Sequence, residues 1–141
     1  MSLRVLLDTS VLRAGFVSDA GASRRLLVAA LTGRVMAIAS TALMLEYEDV
    51  LLRPETLQRA GVTAEDALRF LDGLCAVCCP VTVRVRWRSQ SPDSDDDLVI
   101  DAAVNGLADA IATFNLRDLC GPAARFGIGA ELPADVLRRI R

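Results

Sequence analysis

The stretch SPDSDDDLVIDAA, residues 91–103, carries four aspartates between positions 93 and 97, and an apolar run follows at once. Other acids stand singly in apolar company. Asp8 closes LRVLL, Glu46 sits inside ALMLEYEDVLL, and Asp118 lies three residues beyond Asn115 in ATFNLRDL. Carboxylates so placed can cap a helix, pair with a cation, or hold a hard metal ion and the water it activates. The chain has 16 basic residues, all Arg, with neither His nor Lys. An imidazole base, a Schiff-base lysine and a phosphate-loop lysine are therefore absent. That excludes Ser–His–Asp hydrolases, His-ligated zinc enzymes and P-loop nucleotidases. Carboxylates, hydroxyls, guanidinium groups and thiols remain.

Each acid also has a plain structural use. Asp8-Thr9-Ser10 can cap a helix beginning near Val11. Asp93, Asp95, Asp96 and Asp97 suit a helix start, where each negative charge gains about 0.3–1 kcal/mol. One or two acids satisfy that need, and further ones add like-charge repulsion. Glu46 is harder to dismiss, because a carboxylate among Leu and Met usually needs a partner. Converging acids with no Lys or His to neutralise them imply a bound cation. For oxygen ligands that is Mg²⁺ or Mn²⁺.

The elements that would position these groups can be read from pattern. LRVLL (3–7) reads as a short buried strand ending at Asp8, GASRRLLVAALTGR (21–34) as a helix, and VMAIA (35–39) as a second strand. Ser40 or Thr41 can cap a helix through ALMLEYEDVLLR, which Pro54 ends or offsets. Thr63 and Asp66 make a capping-box-like start for AEDALRFLDGLCAV. VTVRVRWR (81–88) alternates, Val83, Val85 and Trp87 against Arg84, Arg86 and Arg88, as a strand or extended segment does. A helix from about Asp95 to Leu107, a strand in ADAIATF, a short strand in FGIGAEL and a closing helix at Pro133 complete the chain. Apolar strands alternating with helices predict an α/β fold around a largely parallel sheet, one domain over residues 1–141. In such sheets ligands bind outside the carboxyl ends of the strands, the rule that gathers Asp8, Asp97, Asn115 and Asp118.

The composition agrees. A hydrophobic content of 52% and a mean hydropathy of +0.37 exclude disorder over these 141 residues. No apolar run reaches the roughly 18 residues of a membrane span, and MSLRVLLDTS is too short for a signal peptide. A soluble, cytoplasmic protein without membrane contact is expected. CAVCC lacks the second ligand pair of a zinc site, so Cys75, Cys78, Cys79 and Cys120 read as buried free thiols. A net charge of −2 neither indicates nor excludes nucleic-acid binding.

Taken in order, these motifs resemble PIN-domain nucleases, in the VapC-like branch of toxins from toxin–antitoxin systems. VLLDTSVL resembles that family's opening strand and first acid. STALMLEYEDVLLRP resembles its Ser-then-Glu-Tyr helix, and SPDSDDDLVIDAAVNGLADAIATFNLRDL its third-acid helix and following strand. FGIGAELPADVL resembles the closing segment. The resemblance implies a PIN-like three-layer sandwich with Asp8, Glu46 and Asp97 as metal-binding acids. It selects Asp97 over Asp96 because Asp97 stands sixteen residues before Thr113. Where many members carry a fourth Asp, this chain has Asn115, with Asp118 as a possible substitute ligand. Ser10 stands where that turn commonly has Asn.

The activity so implied is Mg²⁺- or Mn²⁺-dependent hydrolysis of RNA phosphodiesters. Thr9, Ser10 and Thr113 would position phosphate or water, and Arg84, Arg86 and Arg88 could track the backbone. A small antitoxin protein and a homodimer are the partners implied. A response-regulator receiver and a haloacid-dehalogenase-like phosphatase also place acids at strand ends, but both use a lysine. The remaining rival is a PIN-like interaction protein without activity, which Asn115 keeps open.

Overall fold

The computed structural model describes residues 2–86 and 94–140; Trp87, Arg88, Asp93 and the Asp95 side chain lie outside them. Five strands form one sheet: β1 (Arg4–Leu7), β2 (Met36–Ser40), β3 (Cys79–Val81), β4 (Ala110–Ala112) and β5 (Gly129–Glu131). Their order is β3–β2–β1–β4–β5 and every neighbouring pair is parallel. Val5 stands opposite Ala37 on one side and Ala110 on the other. Val5, Leu6 and Leu7 are all buried, so both faces of β1 are covered. Continuous apolar strands of this kind are what a parallel sheet between helix layers requires.

The chain runs from β1 outward to β2 and β3, then returns to place β4 on the other side of β1. The reversal lies between β1 and β4, and it opens a crevice at their carboxyl ends. Helices α1 (Thr9–Val17), α3 (Thr41–Leu51) and α7 (Leu116–Ala124) begin there, each just after a strand. Helix α6 (Ser94–Asn105) returns the chain to β4, so its first turn also lies at that edge. The remaining helices, α2 (Ala22–Leu31), α4 (Pro54–Ala60), α5 (Ala64–Val77) and α8 (Pro133–Arg138), complete the layers. Among the described residues no helix is long and apolar enough to cross a membrane.

Local chemistry accounts for most element ends. The Ser40 hydroxyl accepts from the Leu43 N–H and caps α3. Thr63 and Asp66 form a full capping box at α5. Pro54 starts an element as well as following one. It occupies the first turn of α4, while Arg53 before it takes the extended backbone that precedes proline. Gly106 lies where α6 meets the sheet; a Cβ there would come within 2.6 Å of Val81 and 2.7 Å of Ile38.

One expectation is narrowed and one corrected. The strand-or-extended reading of VTVRVRWR narrows, since Val81 closes β3 and residues 82–86 run outside the sheet. Asn105 holds them instead. Its Oδ1 accepts from Arg84 N at 3.0 Å and Val85 N at 3.2 Å, and its Nδ2 donates to Val85 O at 2.8 Å. Alternation signals extended backbone, and here one amide side chain supplies the partners that a neighbouring strand would. The cysteines are free but not buried: Cys75 and Cys120 are exposed, and Cys78 and Cys79 are half-buried. The buried stripe of α5 is Ala67, Leu71 and Leu74, which leaves Cys75 facing solvent.

Candidate active site

Asp8 connects β1 to α1 with extended backbone at φ −63° and ψ 148°, the position of a helix cap, yet its side chain caps nothing. Its Oδ2 accepts from Thr113 Oγ1 at 2.6 Å and from Ser10 Oγ at 3.2 Å. The shorter bond has the length of a charge-assisted O–H···O⁻ contact. It ties the carboxyl end of β1 to the carboxyl end of β4, across the crevice. Thr113 is fully buried, and the same hydroxyl accepts from Asn115 N at 2.8 Å. One threonine thus fixes both the first acid and the turn that carries Asn115.

Asn115 reaches further. Its Nδ2 lies 3.4 and 3.3 Å from the two carboxylate oxygens of Asp96, long for hydrogen bonds but directed at that group. Asp96 is only 6% exposed. Glu46, half-buried on α3, accepts from Thr9 Oγ1 at 2.8 Å through Oε2. Thr9 is the residue next to Asp8, so the second acid is drawn toward the first. The sequence therefore brings together Asp8, Glu46, Asp96, Thr9, Thr113 and Asn115.

The other candidates lie around this group. Asp97 is half-buried and turns toward a cavity of about 200 Å³ that it shares with Ser40, Val83, Arg86 and Asp101. Asp118 is half-buried in the first turn of α7. Ser10 is exposed and donates to Asp8. Arg84 and Arg86 are exposed on the segment that Asn105 holds. Among the described residues, no group of three or more acid or cysteine side chains is placed to hold a metal ion.

Two contributors were not singled out from sequence. Tyr47 is buried, and its hydroxyl donates to the Leu7 carbonyl at the end of β1. Burial pushes its ionisation well above the ordinary 10.0, and the charges of Cys78, Asp8 and Glu46 add to the effect. Tyr47 is therefore a neutral donor that braces the floor of the site. Asp96 had a signal in its spacing. Val99, Ile100 and Ala103 are buried at three, four and seven positions beyond it, so Asp96 extends the inward stripe of α6.

A family model for the PIN domain matches residues 4–117. The chain belongs to the PIN-domain family. PIN domains are generally nucleases and typically depend on divalent metal, which supports a hydrolase acting on nucleic acid. No curated protein gives a significant match.

Proposed function

We propose that the protein is a Mg²⁺- or Mn²⁺-dependent endoribonuclease, with one PIN-like unit covering residues 1–141. The observation that carries this reading is the chain of contacts at the switch point, from Asp8 through Thr113 and Asn115 to Asp96. The Asp8 carboxylate, at a helix-cap position, is held instead by the Thr113 and Ser10 hydroxyls. The donor set is all oxygen and anionic, which suits a hard divalent cation. Asp8, Glu46, Asp96 and Asp97 would hold it, with Asn115 or Asp118 completing the set. When bound, the ion acidifies a water for attack on phosphorus and stabilises charge on the leaving oxygen.

The chain's own residues supply orientation. Thr113 and Thr9 fix the directions of Asp8 and Glu46, and the Asn115 amide steadies Asp96. The first turns of α1, α3, α6 and α7 point their N–H groups at this edge, which favours the negative charge of carboxylates and of a substrate phosphate. Arg86, beside Asp97, and Arg84 and Arg88 would meet the RNA backbone. The spacing to Thr113 speaks for Asp97 as the third acid and the Asn115 contact speaks for Asp96. The proposal gives a ligand role to each. The wider setting is a cytoplasmic toxin of a toxin–antitoxin pair, acting as a homodimer until a small antitoxin protein covers the acidic edge; the family resemblance supports it.

The test is cleavage of a mixed-sequence, fluorophore-quenched RNA with Mg²⁺ or Mn²⁺, beside EDTA, Asp8→Asn, Asp96→Asn and Asp97→Asn. Cleavage should vanish with EDTA and fall on the order of a hundredfold with Asp8→Asn. Asp96→Asn and Asp97→Asn should each lose about tenfold or more. Retained activity in either one removes that residue from the ligand set. Metal binding by calorimetry without cleavage of any RNA would leave the inactive interaction protein, since Asn115 brings no charge to the fourth position.

A further inference from the structure

The thiols at the end of α5 have no part in the acid site. Cys75 and Cys78 stand three positions apart in CAVCC, and Cys79 follows at once. The Cys78 N–H still donates to the Leu74 carbonyl at 2.9 Å, so the last turn of α5 runs through Cys78. Residues three apart on a helix are neighbours on its surface. Cys75 and Cys78 both line a cavity of about 320 Å³, with Ser40, Met44 and Pro80. Burial pushes the Cys78 thiol up to about 11, and the charges of Cys75 and Cys79 add to it, an effect that falls off with distance.

Reach decides which thiols can join. Helix geometry sets the Cα atoms of residues three apart at about 5 Å, inside the range of about 4.4–6.8 Å that a disulfide spans. The Cβ atoms of such a pair stand about 5–6 Å apart on a regular helix, so the last turn must tighten for the bond to close. Cys78 is where α5 ends, and its backbone is already extended at φ −69° and ψ 143°. Cys78 and Cys79 are adjacent, with Cα atoms about 3.8 Å apart, short of the disulfide range. Cys79 has also left the helix for β3, where Arg4 Nη2 lies 4.0 Å from its sulfur. Cys120 lies 3.6 Å from the Ala130 carbonyl of β5, the sheet edge opposite β3.

We propose that Cys75 and Cys78 form a thiol–disulfide exchange site, which takes a small-molecule disulfide of the glutathione class and closes a Cys75–Cys78 bond. Cys75, the exposed thiol, loses its proton to water and attacks one sulfur of the reagent, whose S–S bond breaks. The first reagent thiolate leaves and takes up a proton. Cys78 then gives up its own proton, attacks the Cys75 sulfur and releases the second reagent thiolate, which is protonated in turn. Two protein thiols are oxidised and one reagent disulfide is reduced to two thiols. The order follows from the setting of each sulfur. Cys78 is half-buried and held protonated, a poor first nucleophile. Once Cys75 carries the mixed disulfide, Cys78 is the neighbour that resolves it.

The test uses the full-length protein with Cys120→Ser, so that Cys75 is the exposed cysteine that remains. It is incubated with glutathione disulfide at pH 8, trapped with N-ethylmaleimide and read by intact mass. Fragment sequencing of peptide 70–84, released at Arg69 and Arg84, places each label. The product should be lighter by two hydrogens, take two fewer maleimide labels and regain both with dithiothreitol. Adding Cys75→Ser should slow thiol loss about tenfold. Adding Cys78→Ser should halt the reaction at one glutathione adduct on Cys75, and Cys79→Ser should close the bond at the native rate. In the reduced protein, with no further substitution, phenylarsine oxide should bridge Cys75 and Cys78 and shield both from maleimide. A glutathione adduct that persists without an internal bond overturns the proposal. So does closure that survives Cys75→Ser or Cys78→Ser, closure lost with Cys79→Ser, or arsenical protection that omits Cys75. Cleavage of RNA enters none of these readings, so the nuclease proposal stands or falls separately.

Discussion

Two aspartates sit at opposite ends of the central strands and do different things. Asp109, before β4, accepts the Arg4 backbone N–H at 2.7 Å and returns its own N–H to the Arg4 carbonyl at 2.8 Å. Nearby, the Arg4 guanidinium covers the Gly106 carbonyl at 2.6 Å. At this edge side chains close backbone groups, which is what a fold requires of polar atoms at strand ends. Asp8, after β1, holds a cap position and makes no side-chain cap bond there. Its carboxylate is kept by the hydroxyls of Thr113, just after β4, and Ser10 of α1. A side chain turned away from the nearest backbone need, and fixed there by a fully buried threonine, is the contrast on which the proposed ligand site rests.

The largest expected effect breaks this pair apart. Asp8→Asn should reduce cleavage on the order of a hundredfold, with a melting temperature unchanged or raised, since a charge leaves a crowded edge. Asp109→Asn should do the reverse, leaving cleavage within about twofold and weakening folding by about 1 kcal/mol. Both variants are read by the same RNA assay and by urea unfolding. If Asp8→Asn unfolded the protein while retaining specific activity, the contrast would be wrong.

A smaller effect sharpens it. Each edge also closes a carbonyl with a side chain, Arg4 at one end and Tyr47 at the other. Tyr47→Phe leaves the Leu7 carbonyl without that donor in a buried place, at a cost of about 1–2 kcal/mol. Because Tyr47 braces the strand end that carries Asp8, the variant should also lower kcat a few-fold. Urea unfolding and the RNA assay separate the two effects, and an unchanged kcat would make Tyr47 a packing residue only.

The fold was legible because its signals are local. Buried strands show as unbroken apolar runs, Thr63 and Asp66 announce a helix start, and Pro133 opens the last helix as its fixed φ allows. The site was partly legible, since the carboxyl-edge rule gathers Asp8 and Asn115 whatever the details. What a hydrogen bond decides was not visible. Residues 96 and 97 are adjacent and both acidic, and only the meeting of α6 with the β4–α7 turn sets Asp96 against Asn115. The 82–86 segment left strand and extended chain undecided for the same reason. Its partner is Asn105, twenty-odd residues away, and no periodicity carries that information.

The smallest effect concerns Cys78, whose charge adds to the raised ionisation of Tyr47 behind the site. Burial, with Cys75 and Cys79 adding, pushes its thiol from 9.0 to about 11. The folded protein then keeps a proton that the unfolded chain releases. This contribution to stability is complete below pH 9 and is lost as the pH rises from 9 toward 11. Cys78→Ala should make the fall in urea midpoint over that interval shallower, while Cys120→Ala, at an exposed thiol, should leave it unchanged. At pH 8, iodoacetamide should label Cys78 more slowly than the exposed Cys75, because a thiol held protonated is a poor nucleophile. Equal labelling rates would mean that the helix end opens freely. Tyr47 would then owe its neutrality to burial and the two carboxylates, and the brace beneath Asp8 would stand apart from the cysteines.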